Sequence, residues 1–96
     1  MEITINKFGY VLTSRQSGKE AYAAFLPTLR KVNPNEKIIV DLVGVNTLSP
    51  SWGDEFLSLL LKKFGNRVEI KNAKNLSVAM TLSTLEELHG YTFKIL

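Results

Sequence analysis

The order of apolar and polar positions predicts alternating strands and helices. The clearest pair begins at Ile38, where every residue up to Val43 except Asp41 is apolar. A nearly unbroken run of Val, Ile and Leu predicts a strand covered on both faces, as in a parallel sheet. From Trp52 onward the period becomes helical, with apolar residues every three or four positions at Phe56, Leu59, Leu60 and Phe64.

The chain before this pair predicts one or two short strands and a helix. Residues 2–13 alternate weakly, with Gly9 as a turn or break between two strands. Ser14 and Ser17 are both candidate N-caps for the first helix. Pro27 interrupts its apolar stripe, so we expect a kink or an early end there.

The chain after this pair predicts a strand, a helix and a last strand. Residues 67–71 alternate as a strand does. The third helix carries an apolar stripe and has Gly90 in place as its C-terminal cap. Alternation of Tyr91, Phe93 and Ile95 predicts the final strand.

These elements predict a single α/β domain over residues 1–96, in the order β(β)αβαβαβ. Strands joined through single helices need right-handed crossovers, so the later strands should be parallel. The N-terminal strand or hairpin is expected to add antiparallel character at one edge, giving a mixed sheet of four or five strands with three helices. Sites on such sheets lie beyond the carboxyl ends of the strands, here residues 44–51.

Composition narrows the class of protein. The chain contains no cysteine, which excludes disulfides and thiolate metal sites. It shows no apolar run of about 20 residues and no signal-peptide pattern, so we expect a cytoplasmic protein without a membrane partner. The net charge is +3, with basic residues gathered in residues 62–74. These could form a patch for nucleic acid, but a solvated helix face explains them, and nucleic-acid binding is not expected.

Four segments carry a resemblance to a known family: FG at 8–9, SR at 14–15, VDLVGV at 40–45 and LSPSWGDEF at 48–56. Together they resemble the STAS-like family of unknown function, which is related to the STAS domains of anti-anti-sigma factors. The resemblance implies a STAS-like fold, a prokaryotic signalling role and a protein partner. That partner would be a histidine-kinase-like ATPase or an anti-sigma-type regulator.

The resemblance also implies a phosphorylation switch. In anti-anti-sigma factors, a serine at the start of this helix is phosphorylated by the partner kinase, and by position it matches Ser51. Those factors carry aspartate, serine and glycine at the positions of Ser49, Pro50 and Trp52. Because of its position, Ser51 is the phosphorylation candidate.

The residues themselves allow a purely structural explanation of this helix start. Ser51 can act as N-cap, with Asp54 three residues later in a capping-box-like arrangement. Alternatively, Ser49 is the cap and Pro50 occupies the first helical position, which proline favours. Trp52 either packs in the core or is exposed as an interface anchor.

Acidic residues and the single histidine provide little for catalysis or metal binding. Asp54 and Glu55 favour a helix start electrostatically and point about 100° apart, so they do not form a matched pair. Ser51, His89 and Asp54 could make a Ser-His-Asp set on paper, but no nucleophile elbow surrounds them. We expect Asp41 to bind the backbone of the loop after its strand, and we expect neither enzyme activity, a metal nor a cofactor.

The sequence therefore predicts a non-enzymatic regulatory module that docks a protein partner. The partner-binding residues would be Ser49, Ser51, Trp52, Asp54 and Glu55, with phosphorylation of Ser51 as a gate. The alternative is a small-ligand or nucleotide-binding domain that uses the backbone amides at the same helix start.

Overall fold

The computed structural model describes residues 1–96 and contains six short strands and three long helices. The strands are β1 (Glu2–Thr4), β2 (Val11–Leu12), β3 (Ile38–Asp41), β4 (Thr47–Leu48), β5 (Val68–Lys71) and β6 (Lys94–Ile95). The helices are α1 (Arg15–Leu29), α2 (residues 50–64) and α3 (Leu76–His89). Short 3-10 turns cover Ile5–Phe8 and Gly65–Arg67. No helix combines the length and the apolar character that crossing a membrane requires.

Every strand pairing in the molecule is parallel. The main sheet has the order β1-β3-β5-β6, and β2 pairs with β4 in a separate two-stranded sheet. The predicted parallel pairing of β3 and β5 is confirmed. The predicted antiparallel N-terminal edge is wrong, and the sheet is not mixed. The turn at Gly9 does not close a hairpin, because Ile5–Phe8 forms a 3-10 turn and β2 pairs with β4 rather than with β1.

The strand order places the helices on one face of the sheet. Each crossover moves one strand further in the same direction, so right-handed connections bring all three helices to the same side. On that side Ile3, Val40 and Ile70 are register neighbours and are fully buried. The opposite face is polar, with ion pairs such as Lys71 to Glu2 at 2.8 Å.

Helix α2 lies at the centre of the helical layer and contacts both α1 and α3. It continues through three segments: Pro50–Gly53 is α-helical, Asp54–Ser58 forms a π turn, and Leu59–Phe64 is α-helical again. π turns within α-helices occur frequently at functional sites. The π turn contains both acidic residues of the predicted site.

Two glycines allow the helices to approach closely. A Cβ atom on Gly18 of α1 would lie 2.8 Å from the carbonyl oxygen of Trp52 in α2. A Cβ atom on Gly53 of α2 would lie 3.1 Å from a methyl group of Leu85 in α3. Residues without a side chain therefore lie at both helix contacts, and α2 is held between its neighbours at short distance.

The last strand is shorter than predicted. Only Lys94–Ile95 pairs with β5, whereas Tyr91 and Phe93 precede the strand. The backbone amide of Phe93 donates to a side-chain oxygen of Glu86 at 2.8 Å, so a side chain takes the place of a neighbouring strand there.

Candidate functional site

Ser49 starts α2, and this resolves the choice between the two candidate caps. Its Oγ accepts a hydrogen bond from the backbone amide of Trp52 at 3.2 Å and donates to the backbone carbonyl of Thr13 at 2.8 Å. Pro50 follows at the first helical position. The prediction of Ser49 as cap is confirmed, and the alternative in which Ser51 caps the helix is wrong.

Ser51 lies inside the first turn of α2 with its hydroxyl unused. Its side chain is half-buried and forms no hydrogen bond within the protein. Because Ser49 already supplies the cap, the fold does not need the hydroxyl of Ser51. Its role as a phosphorylation candidate stays a prediction.

Trp52 belongs to the core. It is fully buried, and its ring stacks on Phe56 with a centroid distance of 5.2 Å and an interplanar angle of 16°. The core alternative is confirmed, and the indole ring is not exposed on the surface. Its Nε1 group is buried without a hydrogen-bond partner.

Asp54 connects all three helices. His89 at the end of α3 lies 2.6 Å from one carboxylate oxygen through its Nε2. Arg15 at the start of α1 donates from Nη1 to the other oxygen at 3.2 Å and to Glu55 at 3.1 Å. Asp54 and Glu55 were predicted for this site, whereas Arg15 was noted only in the SR motif and His89 only in a hypothetical Ser-His-Asp set.

These contacts set the charge state of Asp54. Partial burial by itself would raise the pKa of the carboxyl group. Hydrogen bonds from His89, Arg15 and Ser58 favour the ionised form, and together they hold the pKa of Asp54 below its ordinary value. The carboxylate is therefore ionised at neutral pH, paired and oriented.

A groove begins beside this cluster and was not predicted. It has a volume of about 690 Å³ and lies between α2, the end of α3 and the segment leading into β6. In its wall, the hydroxyl groups of Ser58 and Tyr91 share a hydrogen bond. The rings of His89 and Tyr91 stack at 5.3 Å. Burial raises the pKa of the Tyr91 phenol. Asp54 and Ser58 are four residues apart and so lie on one face of α2. This spacing is the one sequence signal that could have indicated the groove wall.

An exposed apolar patch adjoins the start of α2 and was also missed. It consists of Tyr10, Val11 and Val43, whose exposures are 59%, 62% and 45%. Val11 pairs with Thr47 just before the Ser49 cap, and the Tyr10 ring lies next to the backbone of Gly44. The sequence pattern assigned Tyr10 and Val11 to an ordinary strand, and periodicity alone does not show that a short strand leaves its apolar residues uncovered.

Asp41 has the structural role that the sequence predicted. Its Oδ1 accepts from the backbone amide of Val43 at 3.0 Å and from the side-chain amide of Asn72 at 2.7 Å. It therefore fixes the loop after β3 and ties it to the end of β5.

The structure separates the residues of the hypothetical Ser-His-Asp set. Asp54 and His89 are in contact, but Ser51 forms no hydrogen bond with either. No group of three His, Cys, Asp or Glu side chains is arranged to hold a metal ion.

The basic residues between 62 and 74 do not form one patch. Arg67, at the amino end of β5, donates to the backbone carbonyls of Asn33 and Glu36. Lys71, at the carboxyl end of the same strand, pairs with Glu2 and Asp41. Arg67 and Lys71 therefore lie at opposite ends of one strand, and each has its own structural contacts.

Comparison with known proteins supports the resemblance seen in the sequence. Residues 17–77 match the family described as "STAS-like domain of unknown function (DUF4325)". No curated protein and no solved structure matches the chain significantly. The matched region runs from α1 to the beginning of α3 and includes β3, the Ser49 cap and the whole of α2. The sheet of parallel strands and the three helices agree with this match. The chain therefore belongs to the family of STAS-like domains of unknown function.

Proposed function

We propose that this STAS-like domain is a non-enzymatic regulatory module that docks a protein partner at the start of α2. The docking surface consists of the exposed patch Tyr10, Val11 and Val43 together with the helix-start residues Ser49, Ser51, Asp54 and Glu55. The partner is a histidine-kinase-like ATPase or an anti-sigma-type regulator, as the relation to anti-anti-sigma factors implies. Phosphorylation of Ser51 gates the interaction.

The observation that carries this proposal is the unused hydroxyl of Ser51 at a helix start whose preceding segments expose Tyr10, Val11 and Val43. Contiguous apolar side chains on a protein surface mark interaction sites. Here Val11 pairs with Thr47, two residues before Ser49, and Ser49 is fixed by hydrogen bonds to Trp52 and Thr13. Exposed apolar residues with charged residues nearby are typical of a docking interface.

Charge supports Ser51 as a gate. A phosphate would add about −1.5 to −2 charges next to the apolar patch. Asp54 and Glu55 lie three and four residues later and already share Arg15. The new charge would compete with them for the same guanidinium and repel an acidic or apolar partner surface. Phosphorylation therefore weakens docking.

The backbone at this helix start favours a docking surface over the small-ligand alternative. Pro50 has no N–H group, the amide of Trp52 is taken by Ser49 Oγ, and that of Gly53 by the Ser49 carbonyl. Only the amide of Ser51 remains for a ligand. Anion sites at helix starts use several free amides together, and one amide is a weak anchor.

The test uses the purified domain as bait in lysate from its own source, with retained proteins identified by mass spectrometry. Wild type is compared with Ser51→Glu, Tyr10→Ser and Ser51→Ala. We expect one partner that wild type and Ser51→Ala retain and that Ser51→Glu and Tyr10→Ser lose. The captured partner, incubated with ATP, should phosphorylate wild type and leave Ser51→Ala unmodified.

Ser83→Glu is the matched control, because Ser83 is exposed on α3 and lies outside the docking surface. A partner lost equally with Ser83→Glu would indicate a general charge effect. A partner that Tyr10→Ser retains as well as wild type does would refute docking at the start of α2. Circular dichroism should show that all baits are folded.

A further inference from the structure

The groove beside Ser58 and Tyr91 has the size and the lining of a small-molecule site. Its volume of about 690 Å³ falls within the range of roughly 300–1,000 Å³ typical of ligand pockets. Leu59, Leu61 and the ring of Tyr91 contribute apolar surface, and most of the exposed lining is apolar. Such a wall suits an aromatic or aliphatic body.

The two ends of the groove carry different charged groups. At one end, the carboxylates of Asp54 and Glu55 are paired with Arg15, and Asp54 also contacts His89. Further along α2, Lys62 lines the groove, is exposed and forms no ion pair.

Lys94 lies in the same groove and donates to the carbonyl of Asn66 at 3.2 Å. Its ammonium group is 3.9 Å from Glu69, which also pairs with Lys37 at the shorter distance of 3.0 Å. At this end the groove therefore carries positive charge that Glu69 only partly balances, whereas at the other end two carboxylates share the single guanidinium of Arg15.

We propose that this groove binds a small organic anion, with an apolar body against Leu59, Leu61 and Tyr91 and its anionic group at Lys62. The site goes beyond the proposed docking function. Its ligand contacts side chains rather than helix-start amides, and its apolar wall is separate from the patch of Tyr10, Val11 and Val43.

The test titrates the intact domain with 8-anilinonaphthalene-1-sulfonate, an aromatic anion that fluoresces in apolar surroundings. N-phenyl-1-naphthylamine, which has the same rings without the sulfonate, serves as the uncharged comparison. We expect saturable binding of one sulfonate dye per chain, and binding of the uncharged dye at least about fivefold weaker. Amide chemical shifts in NMR spectra should change at Ser58, Val68 and Tyr91.

Two neighbouring lysines supply matched variants. Lys62→Gln should weaken binding of the sulfonate dye about three- to tenfold, because it removes the unpaired charge from the groove. Lys63→Gln removes an equal charge one residue away, outside the groove lining, and should change the affinity less than about twofold.

Four results would overturn the proposal. These are no saturable binding up to about 1 mM dye, equal affinity for the two dyes, equal weakening by the two lysine variants, and shift changes confined to the Tyr10 patch. None of them depends on a protein partner, so the groove and the docking proposal fail or survive separately.

Discussion

Two serines, two positions apart at the start of α2, have opposite roles. The Ser49 hydroxyl forms two hydrogen bonds, one within the helix and one to Thr13 of another segment. The Ser51 hydroxyl forms none. In the sequence, both serines are good caps, and the pairing of β2 with β4 decides between them because it brings Thr13 next to Ser49.

The two serines should therefore differ in their effect on stability. Ser49→Ala removes the cap and the bond to Thr13, and we expect the free energy of unfolding to fall by about 1–2 kcal/mol. Ser51→Ala should change it by less than about 0.5 kcal/mol. Urea unfolding followed by the fluorescence of buried Trp52 measures both, and equal losses in the two variants would contradict this assignment.

Among the elements, α2 depends on close contact with both neighbouring helices. The two contacts differ in how easily the atoms opposite the glycine can move. At Gly18 the opposing atoms are the backbone of Trp52, whereas at Gly53 they are the side-chain methyl groups of Leu85 and Thr81. Backbone atoms move only when the whole helix moves, and side chains adjust more easily.

Alanine substitution should distinguish these two contacts. Gly18→Ala gains helix propensity, but its Cβ would lie 2.8 Å from a carbonyl oxygen, so we expect a net loss of about 1–3 kcal/mol in the free energy of unfolding.

Gly53→Ala is the control and should stay within about 1 kcal/mol of wild type. Thermal and urea unfolding compare the two variants. A Gly18→Ala variant as stable as wild type would show that α1 and α2 can move apart without cost.

Across the whole molecule, all three helices cover one face of the sheet, and α2 contributes residues to both candidate surfaces. Asp54 joins this layer, since Arg15 comes from the start of α1 and His89 from the end of α3. Glu55 and, through Ser58, Tyr91 are its other titratable neighbours. One carboxylate thus links three helices between the docking surface and the groove.

Stability should depend on the ionisation of Asp54. Its pKa is lower in the folded protein than in the unfolded chain, so the ionised group stabilises the fold above the unfolded pKa of about 3.9. This contribution is lost as the pH falls through the folded pKa. Asp54→Asn should therefore be less stable than wild type at pH 7, and the difference should shrink steadily below about pH 4.

Urea unfolding of wild type and Asp54→Asn at neutral pH and at several acidic values measures this difference. Subtracting the two curves removes the contribution of other carboxyl groups that titrate in both proteins. A difference that stays constant down to the most acidic value would show that the paired charge of Asp54 does not stabilise the fold.

The sequence alone determined what depends on neighbouring residues. Periodicity predicted the strand at β3, the amphipathic helix after Trp52 and the third helix with Gly90 as its cap, because each pattern arises within a single element. The bond from Asp41 to the next loop was predicted for the same reason.

Only the tertiary structure decided which distant segments meet. The parallel partner of β1, the choice of Ser49 as cap, the contacts of Arg15 and His89 with Asp54, and the groove wall at Tyr91 all join residues more than 30 positions apart. Local patterns contain no information about such pairs, because burial of the whole helical layer against one sheet face brings them together. The candidate functional surfaces lie at these long-range contacts.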